Sequence, residues 1–150
     1  MLIREAQPGD LDAILALCRA HAEYERAPIV IGGWDERLRA AIFDGRPRLR
    51  CLVAEAGTRI EGYATFTRDF STWRATEYGH VDCVYVSEGS RGRGIGAALM
   101  KTIAREAAGF GIAHLEWQTP WWNLPAVRFY ERLGATAMPK VRFAWNPGHP

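Results

Sequence analysis

The chain has 150 residues, of which 48% are hydrophobic and 24% are charged, and its formal net charge is +2. This length and apolar share predict a single folded domain over residues 1–150, and a charge this small gives no basis for nucleic-acid or membrane binding, so we expect neither. Because no apolar run approaches the roughly 20 residues of a membrane span and the first residues lack a signal-peptide pattern, a cytoplasmic protein is expected.

Hydrophobic periodicity divides the chain into alternating strands and helices. In chain order the predicted elements are a strand at 2–4, helices at 11–25 and 34–43, strands at 49–56, 60–67 and 76–86, a helix at 94–109, a strand at 114–118, a helix at 124–133 and a final strand at 141–145. Asp10 is placed to cap the first helix, and Gly134 to end the last one. Residues 69–75 are expected to be a loop. This order predicts an α/β (α+β) protein with a mixed sheet and helices on both faces.

Residues 81–100 combine a strand, a turn rich in glycine and arginine, and the start of a helix. A glycine-rich turn that opens a helix directs several backbone N–H groups to one point, where the helix dipole also favours an anion. Arg91 and Arg93 add two full positive charges. The turn lacks the Gly-Lys-Ser/Thr triplet of a Walker loop, and it lies too far along the chain for a Rossmann fingerprint. It therefore predicts a pyrophosphate cradle, the alternative being a solvated turn with an ordinary helix cap.

Two motifs resemble the GNAT N-acetyltransferases. The first is Arg91-x-x-Gly94-x-Gly96 after a strand, which is similar to the acyl-CoA loop of that superfamily. The second is the stretch 123–135, which follows the pattern Asn-x-x-Ala-x-x-Phe/Tyr-Tyr-x-x-x-Gly-Phe/Ala over about twelve positions. The resemblance implies the GNAT fold, with a mixed central sheet of six to seven strands, about four helices on both faces, and a splay between the fourth and fifth strands.

That resemblance also implies acetyl-CoA as cosubstrate and no metal. In the GNAT fold the pantetheine arm pairs with exposed main chain in the splay, and the glycine loop holds the pyrophosphate. The residues that would bind the cofactor are Val84, Tyr85, Val86, Arg91, Gly92, Arg93, Gly94, Ile95, Gly96, Ala97, Asn123, Ala126 and Tyr130. A plain helix N-cap explains Asn123 nearly as well. The isolated cysteines at 18, 51 and 83 argue against a disulfide framework or a zinc site, and we expect them to pack as small apolar residues.

Over its whole length the chain resembles the spermidine/spermine N-acetyltransferase group, which includes diamine and thialysine acetyltransferases and whose subunits pair. A homodimer is therefore expected. The residues implied to bind the amine are Tyr24, Glu25, Asp69, Asp82 and Trp122. The polyamine binders of that group carry a dense acidic rim, whereas here Arg26 follows Glu25 and Trp121 precedes Trp122. Fewer acids and more aromatic faces favour a shorter or less charged amine than spermidine.

Two residues are candidates for the proton transfers of acetylation. The resemblance places Tyr130 near the cofactor sulfur, where a phenol can return a proton to the leaving thiolate. Asp82 occupies the position of the group's proton-accepting Glu, and it could deprotonate the amine directly or through water. Each has a structural alternative: Tyr130 packed in the core with its hydroxyl on a carbonyl, and Asp82 salt-bridged to an arginine or capping a loop. The alternative for Glu25, a candidate for amine binding, is a carboxylate simply exposed at a helix end.

The expected function is transfer of acetyl from acetyl-CoA to a primary amine of a small molecule, a diamine, polyamine or amino-acid-like amine, by direct attack in a ternary complex. One alternative is acetylation of a protein or peptide N-terminus or lysine, which predicts an open groove beside the splay. A small amine predicts instead a closed pocket capped by residues 26–34. The other alternative is a non-catalytic acyl-CoA sensor.

Overall fold

The computed structural model describes residues 1–30 and 32–148. In chain order the elements are β1 (Leu2–Glu5), α1 (Leu11–Glu25), α2 (Trp34–Phe43), β2 (Arg50–Ala56), β3 (Arg59–Ser71), β4 (Thr76–Val86), α3 (Ile95–Gly109), β5 (Leu115–Trp117) and α4 (Leu124–Arg132). The chain forms two compact units that divide after Gln118, so the first unit holds β1 to β5 with α1 to α3, and the second holds α4. No helix in the described part is both long and apolar enough to cross a bilayer.

The five strands form one sheet in the order β1-β2-β3-β4-β5. The first three pairings are antiparallel. Strands β2 to β4 form a meander, in which β3 follows β2 through a tight turn where Gly57 has a φ of +65°, and β1 pairs with β2 after the chain has passed through α1 and α2. The β4–β5 pairing is parallel, since α3 carries the chain back between these strands. The sheet is therefore mixed, as predicted.

Alternation along the strands assigns the helices of the first unit to opposite faces of the sheet. Ile14 of α1 and Ile42 of α2 pack in one buried cluster with Cys51 and Val53 of β2. Arg50, one position from Cys51, points to the other face and forms an ion pair with Glu106 of α3 at 2.9 Å. The first unit thus has three layers, with α1 and α2 on one face and α3 on the other.

The fold class is confirmed, and most predicted boundaries agree with the structure to within two residues. The predicted strand at 141–145 is wrong: these residues adopt no regular structure, and Val141, Phe143 and Trp145 are 78%, 89% and 85% exposed. A strand needs a partner edge, and the described chain gives this segment none, so the sheet has five strands rather than six to seven. The predicted loop at 69–75 is shorter, because β3 continues to Ser71 and only residues 72–75 turn.

Asp10 does not cap α1 through its side chain as predicted. Its two carboxylate oxygens accept from Arg4 Nη1 at 2.7 Å and Nη2 at 2.9 Å, and Oδ2 also accepts from the Gln7 N–H at 2.7 Å. Hydrogen bonding by Arg4 holds the pKa of Asp10 below its ordinary value of 3.8. Asp10 therefore ties β1 to the start of α1.

Replacing Asp10 by Asn is expected to lower the free energy of unfolding by roughly 1–3 kcal/mol at neutral pH, because a charge-assisted pair is lost. A carboxyl whose pKa is lower in the folded state stabilises that state above its unfolded-state pKa, and this stabilisation is lost as the pH falls through the folded-state pKa. The difference between the urea midpoints of wild type and Asp10→Asn should therefore shrink below about pH 4. A difference that stays constant down to about pH 2 would contradict this assignment.

Candidate functional site

Asp82 lies at an irregularity in β4, next to the point where the strand loses its second neighbour. Thr65 of β3 pairs with Cys83 and Phe66 pairs with Val81, so Asp82 is the extra residue of a β-bulge. The parallel pairing of β4 with β5 ends one residue earlier, at Val81 and Trp117. Neighbouring side chains on a regular strand point to opposite faces of the sheet. At the bulge they do not, as the distance of 3.6 Å between Cys83 Sγ and Asp82 Oδ2 shows. Asp82 is thus an exposed carboxylate at the start of the open end of β4.

The last residues of β4 present backbone groups away from β3. The Ser87 N–H donates to the Glu61 carbonyl at 2.8 Å, so this pair is hydrogen bonded. Because hydrogen-bonded and non-hydrogen-bonded pairs alternate in an antiparallel ladder, Val86 and Val84 direct their N–H and C=O groups outward. Arg91 Nε donates to the Val86 carbonyl at 3.1 Å, as this orientation requires. An extended ligand with amide groups could pair with this edge.

The glycine-rich turn that is predicted to hold a pyrophosphate lies between β4 and α3. Gly92 and Gly94 have φ values of +75° and +80°, in the left-handed region that favours glycine, and a Cβ on either would meet no described heavy atom within 4 Å. Gly94 is the N-cap of α3, and the Gly94 carbonyl accepts the Ala98 N–H. The N–H groups of Ile95, Gly96 and Ala97 therefore have no partner within the helix. This open ring of N–H groups fits a diphosphate.

Glu61 fixes the segment that leads into the cradle. Its Oε2 accepts from Ser87 Oγ at 2.6 Å, while its backbone carbonyl accepts the Ser87 N–H. Hydrogen bonding by Ser87, assisted by Ser90 and by the charges of Arg59 and Arg93, lowers the pKa of Glu61 below its ordinary 4.5. Glu61 is therefore ionised at neutral pH and holds the turn between β4 and α3.

The end of α1 meets β4 and the glycine loop through aromatic rings. The Tyr24 and Tyr85 ring centroids are 6.5 Å apart, and the Arg91 guanidinium lies 4.8 Å from the Tyr24 ring and 5.4 Å from the Tyr85 ring. This arrangement brings together a predicted amine-site residue, a residue of the β4 edge and a predicted pyrophosphate ligand. The electron-rich faces that stabilise Arg91 can also stabilise a cationic ligand.

Glu25 reaches the same region through a histidine that the sequence analysis did not identify. His21 Nε2 lies 3.3 Å from Glu25 Oε1, and His21 Nδ1 lies 3.0 Å from the hydroxyl oxygen of Tyr63. The His21 ring also stacks on Tyr85, with centroids 5.0 Å apart. The spacing of four residues between His21 and Glu25 could have predicted their contact. Nothing in the sequence indicates that His21 meets Tyr63, which is 42 residues away and only 1% exposed.

Asp69 belongs to β3 and not to a loop. Its Oδ1 accepts from Thr67 Oγ1 at 3.0 Å, and its Oδ2 lies 3.9 Å from His80 Nδ1 on β4. These contacts lie within the β3–β4 hairpin. Its proposed role in amine binding remains a prediction.

Four predicted site residues, Trp122, Asn123, Ala126 and Tyr130, belong to the second unit. Asn123 is buried and is the N-cap of α4, where its Oδ1 accepts the Ala126 N–H at 3.4 Å. Trp122 precedes it, and both Trp122 and Tyr130 are half-buried. The Tyr130 ring lies 5.0 Å from the Phe129 ring. Asn123 thus has the capping role expected as an alternative, while the predicted roles of all four residues toward ligands stay predictions.

Of the three cysteines, Cys51 is buried in the core cluster and Cys18 is half-buried against that cluster, as a packing role requires, whereas Cys83 is half-buried beside Asp82. Burial raises the pKa of the Cys51 and Cys83 thiols to about 12, and burial also raises that of Cys18. Among residues 1–30 and 32–148, no group of three or more His, Cys, Asp or Glu side chains is arranged to hold a metal ion.

Several known proteins are similar to this chain in sequence or in fold. The profile of the Acetyltransferase (GNAT) family matches residues 14–135. The thialysine N-epsilon-acetyltransferase of Bos taurus is 35% identical over 143 residues, which cover 90% of this chain and 84% of that protein. The L-methionine sulfoximine/L-methionine sulfone acetyltransferase of Salmonella typhimurium is 30% identical and covers 94% of this chain and 85% of its own. A solved structure, a possible acetyltransferase from Clostridium difficile 630, has a TM-score of 0.81 at 22% identity, with 99% and 98% of the two chains covered.

Proposed function

Because the chain belongs to the GNAT acetyltransferase family and is therefore an acetyl-transferring enzyme, we propose that it acetylates a primary amine of a small diamine or amino-acid-like molecule. The family uses acetyl-CoA as cosubstrate. The observation that carries the proposal is the convergence of three features in the first unit: the outward groups of Val84 and Val86, the N–H ring at the start of α3, and the aromatic and acidic end of α1.

The residues proposed to hold acetyl-CoA fit its chemistry. Acetyl-CoA would supply an activated thioester carbonyl, a diphosphate and an arm with two amides. The N–H groups from Gly92 to Ala97 suit the diphosphate, and Arg93 adds charge. The edge groups of Val84 and Val86 suit the amides, and the Val84 N–H could polarise the acetyl carbonyl. The N-cap Asn123 and the neighbouring Ala126 complete the proposed set.

The proposed mechanism assigns one proton transfer to each of two side chains. An amine is protonated at neutral pH, and it must lose a proton before it can attack a thioester carbonyl. Asp82 first attracts the ammonium ion and then accepts this proton, directly or through one water. The Tyr130 hydroxyl donates a proton to the departing sulfur. Both partners are held in one ternary complex, so that the attack becomes effectively unimolecular.

We infer the class of the amine acceptor from the carboxylates and aromatic rings of the candidate site. Glu25, Asp82 and Asp69 supply negative charges, while Tyr24, Tyr85 and Trp122 supply faces for a cation. Arg26 directly after Glu25 disfavours a long polycation. Two relatives are named for thialysine and for L-methionine sulfoximine, both amino-acid-like amines. Of the segment 26–34 expected to cap the amine pocket, residue 31 lies outside the described residues.

A thiol-release assay over a panel of acceptors tests the proposed function. The panel contains thialysine, ornithine, short diamines, spermidine, an aminoglycoside and a lysine-containing peptide. We expect amine-dependent release of CoA with the amino-acid-like amines or short diamines, and a much lower kcat/KM with spermidine. Preference for the peptide would favour protein acetylation, and binding of acetyl-CoA without release for any acceptor would favour a sensor.

A homodimer belongs to the same proposal. Val141, Phe143 and Trp145 alternate with polar or small residues and are at least 78% exposed. Such an apolar stripe is costly in water and suits a strand that pairs with a second copy. Light scattering should give the mass of a dimer for the wild type, and a lower mass for Phe143→Ser.

A further inference from the structure

The Arg91 guanidinium contacts two parts of the candidate site at once. Its Nε donates to the Val86 carbonyl at 3.1 Å, on the edge of β4 that is proposed to pair with the cofactor arm. Its Cζ lies over the Tyr24 ring at 4.8 Å and over the Tyr85 ring at 5.4 Å, where the amine is proposed to bind. A single cation thus covers groups that both substrates of the proposed reaction would use.

The two rings under Arg91 form a corner. The Tyr24 and Tyr85 rings are inclined to each other by 56°, with centroids 6.5 Å apart. Tyr85 also stacks on His21 at 5.0 Å, and His21 Nε2 lies 3.3 Å from Glu25 Oε1. Two electron-rich rings that converge in this way attract a cation, and Arg91 is the cation that they hold.

The backbone of Arg91 is anchored, whereas its side chain is exposed. The Arg91 N–H donates to the Glu88 carbonyl at 3.2 Å and closes the short turn at Glu88–Ser90. Arg91 is an exposed residue, and its bond to Val86 is also exposed. Exposed side chains change rotamer on the picosecond to nanosecond timescale. The guanidinium can therefore change partners while the loop keeps its conformation.

Arg91 and a cationic acceptor exclude each other at these rings. Both carry a positive charge, and both are attracted by the same ring faces. Two like charges a few ångströms apart repel, and the repulsion is stronger at a protein surface than in bulk water. An ammonium ion can therefore bind at Tyr24 and Tyr85 only when Arg91 has moved away.

A diphosphate offers Arg91 stronger partners than the ones it has in the structure. Its hydrogen bond to Val86 has a neutral acceptor, and its other contacts are with ring faces. Hydrogen bonds between arginine and phosphate are charge-assisted, often bidentate, and roughly twice as strong as neutral ones. The N–H groups at the start of α3, proposed to hold the diphosphate of acetyl-CoA, follow Arg91 within the same loop.

We propose that Arg91 couples the binding of the two substrates: on the rings it blocks the amine, and the diphosphate of acetyl-CoA draws it away and opens the rings to the ammonium ion. This inference rests on the proposed function, in which Tyr24 and Tyr85 receive the cation. Arg91 is thus a positioning residue as well as a cofactor ligand. Each substrate should bind more tightly in the presence of the other, by the same factor.

Binding of the amine with and without CoA tests this coupling. CoA carries the diphosphate but no acetyl group, so no turnover occurs during the titration. The amine is the best acceptor of the thiol-release panel, and the coupling factor is the ratio of its calorimetric dissociation constants at zero and at saturating CoA. Arg91→Gln removes the guanidinium. Arg93→Gln is the matched control, because Arg93 is an exposed arginine of the same loop whose charge acts on Glu61.

The wild type should bind the amine about tenfold or more tightly with CoA than without it, which is within the usual range of coupling between sites. In Arg91→Gln the factor should fall to about twofold or less, because the amine binds more tightly without CoA and equally well with it. Arg93→Gln should bind CoA more weakly and keep the wild-type factor.

A wild-type factor within about twofold would overturn the coupling, and so would equal factors in Arg91→Gln and Arg93→Gln. The inference also fails if the factor in Arg91→Gln falls only because the amine binds more weakly in the presence of CoA. Acetylation of the amine without any coupling refutes this inference alone. Absence of acetylation with every acceptor refutes the proposed function.

Discussion

Asp82→Asn is expected to lower kcat for amine acetylation roughly 100-fold to 10,000-fold, the usual contribution of a positioned general base. Asn has the size of Asp but cannot accept the proton of an ammonium ion. The bulge fixes the position of this side chain at the open end of β4, where the proposed acceptor must meet the thioester. Because Asp82 is separate from the glycine loop, the dissociation constant for acetyl-CoA should stay within about twofold of the wild-type value.

Two further variants make that result specific to the Asp82 carboxylate. Asp82→Glu should recover much of the activity, since it restores the group one methylene further out. Asp12→Asn removes an exposed carboxylate from the first turn of α1 and should have wild-type kcat. The role as base is excluded if Asp82→Asn retains kcat within about twofold while it still binds acetyl-CoA.

Tyr130→Phe is expected to lower kcat roughly 100-fold or more with little change in KM or in acetyl-CoA affinity. The substitution removes one hydroxyl and keeps the ring that packs beside Phe129 on α4. Without the hydroxyl, the sulfur leaves as an unprotonated thiolate, which is a poorer leaving group. The measurements are kcat with a good acceptor and calorimetric titration with acetyl-CoA.

Tyr78→Phe is the matched control, because it removes a half-buried phenolic hydroxyl from β4 at a position, paired with Asp69, that has no proposed part in proton transfer to sulfur. It should have wild-type kcat. If Tyr130 is only a structural residue, Tyr130→Phe will have a lower melting temperature and an unchanged kcat. That pattern would remove the proton-donor role and leave the rest of the mechanism in place.

Local patterns in the sequence predicted the helices and most of the strands. The apolar spacing of α1 and the stop signal at Gly134 are properties of neighbouring residues, and Gly134 has the expected left-handed conformation, with a φ of +91°. The segment 141–145 has the same kind of pattern but no partner edge in the described chain. Alternation indicates a face that could be buried, whereas a strand also requires a neighbour, which a local pattern cannot supply.

The candidate site was predicted where it depends on adjacent residues and missed where it depends on long-range contacts. The glycine loop from Arg91 to Gly96 can be read from composition and order. The bulge at Asp82 cannot, because it is a property of the pairing between β3 and β4. The contact of Tyr63 with His21 requires α1 to lie across the sheet, so no spacing within one element could indicate it.

Calorimetric titration with acetyl-CoA tests most directly whether the outward edge of β4 at Val84 and Val86, with the glycine loop after it, is a binding site for this cosubstrate. We expect saturable binding of one molecule per chain. We also expect Gly94→Val to abolish this binding in a folded protein, because a β-branched residue is strained at a φ of +80° and the N–H ring is disrupted. No heat from the wild type at saturating acetyl-CoA, or equal affinity in folded Gly94→Val, would contradict it.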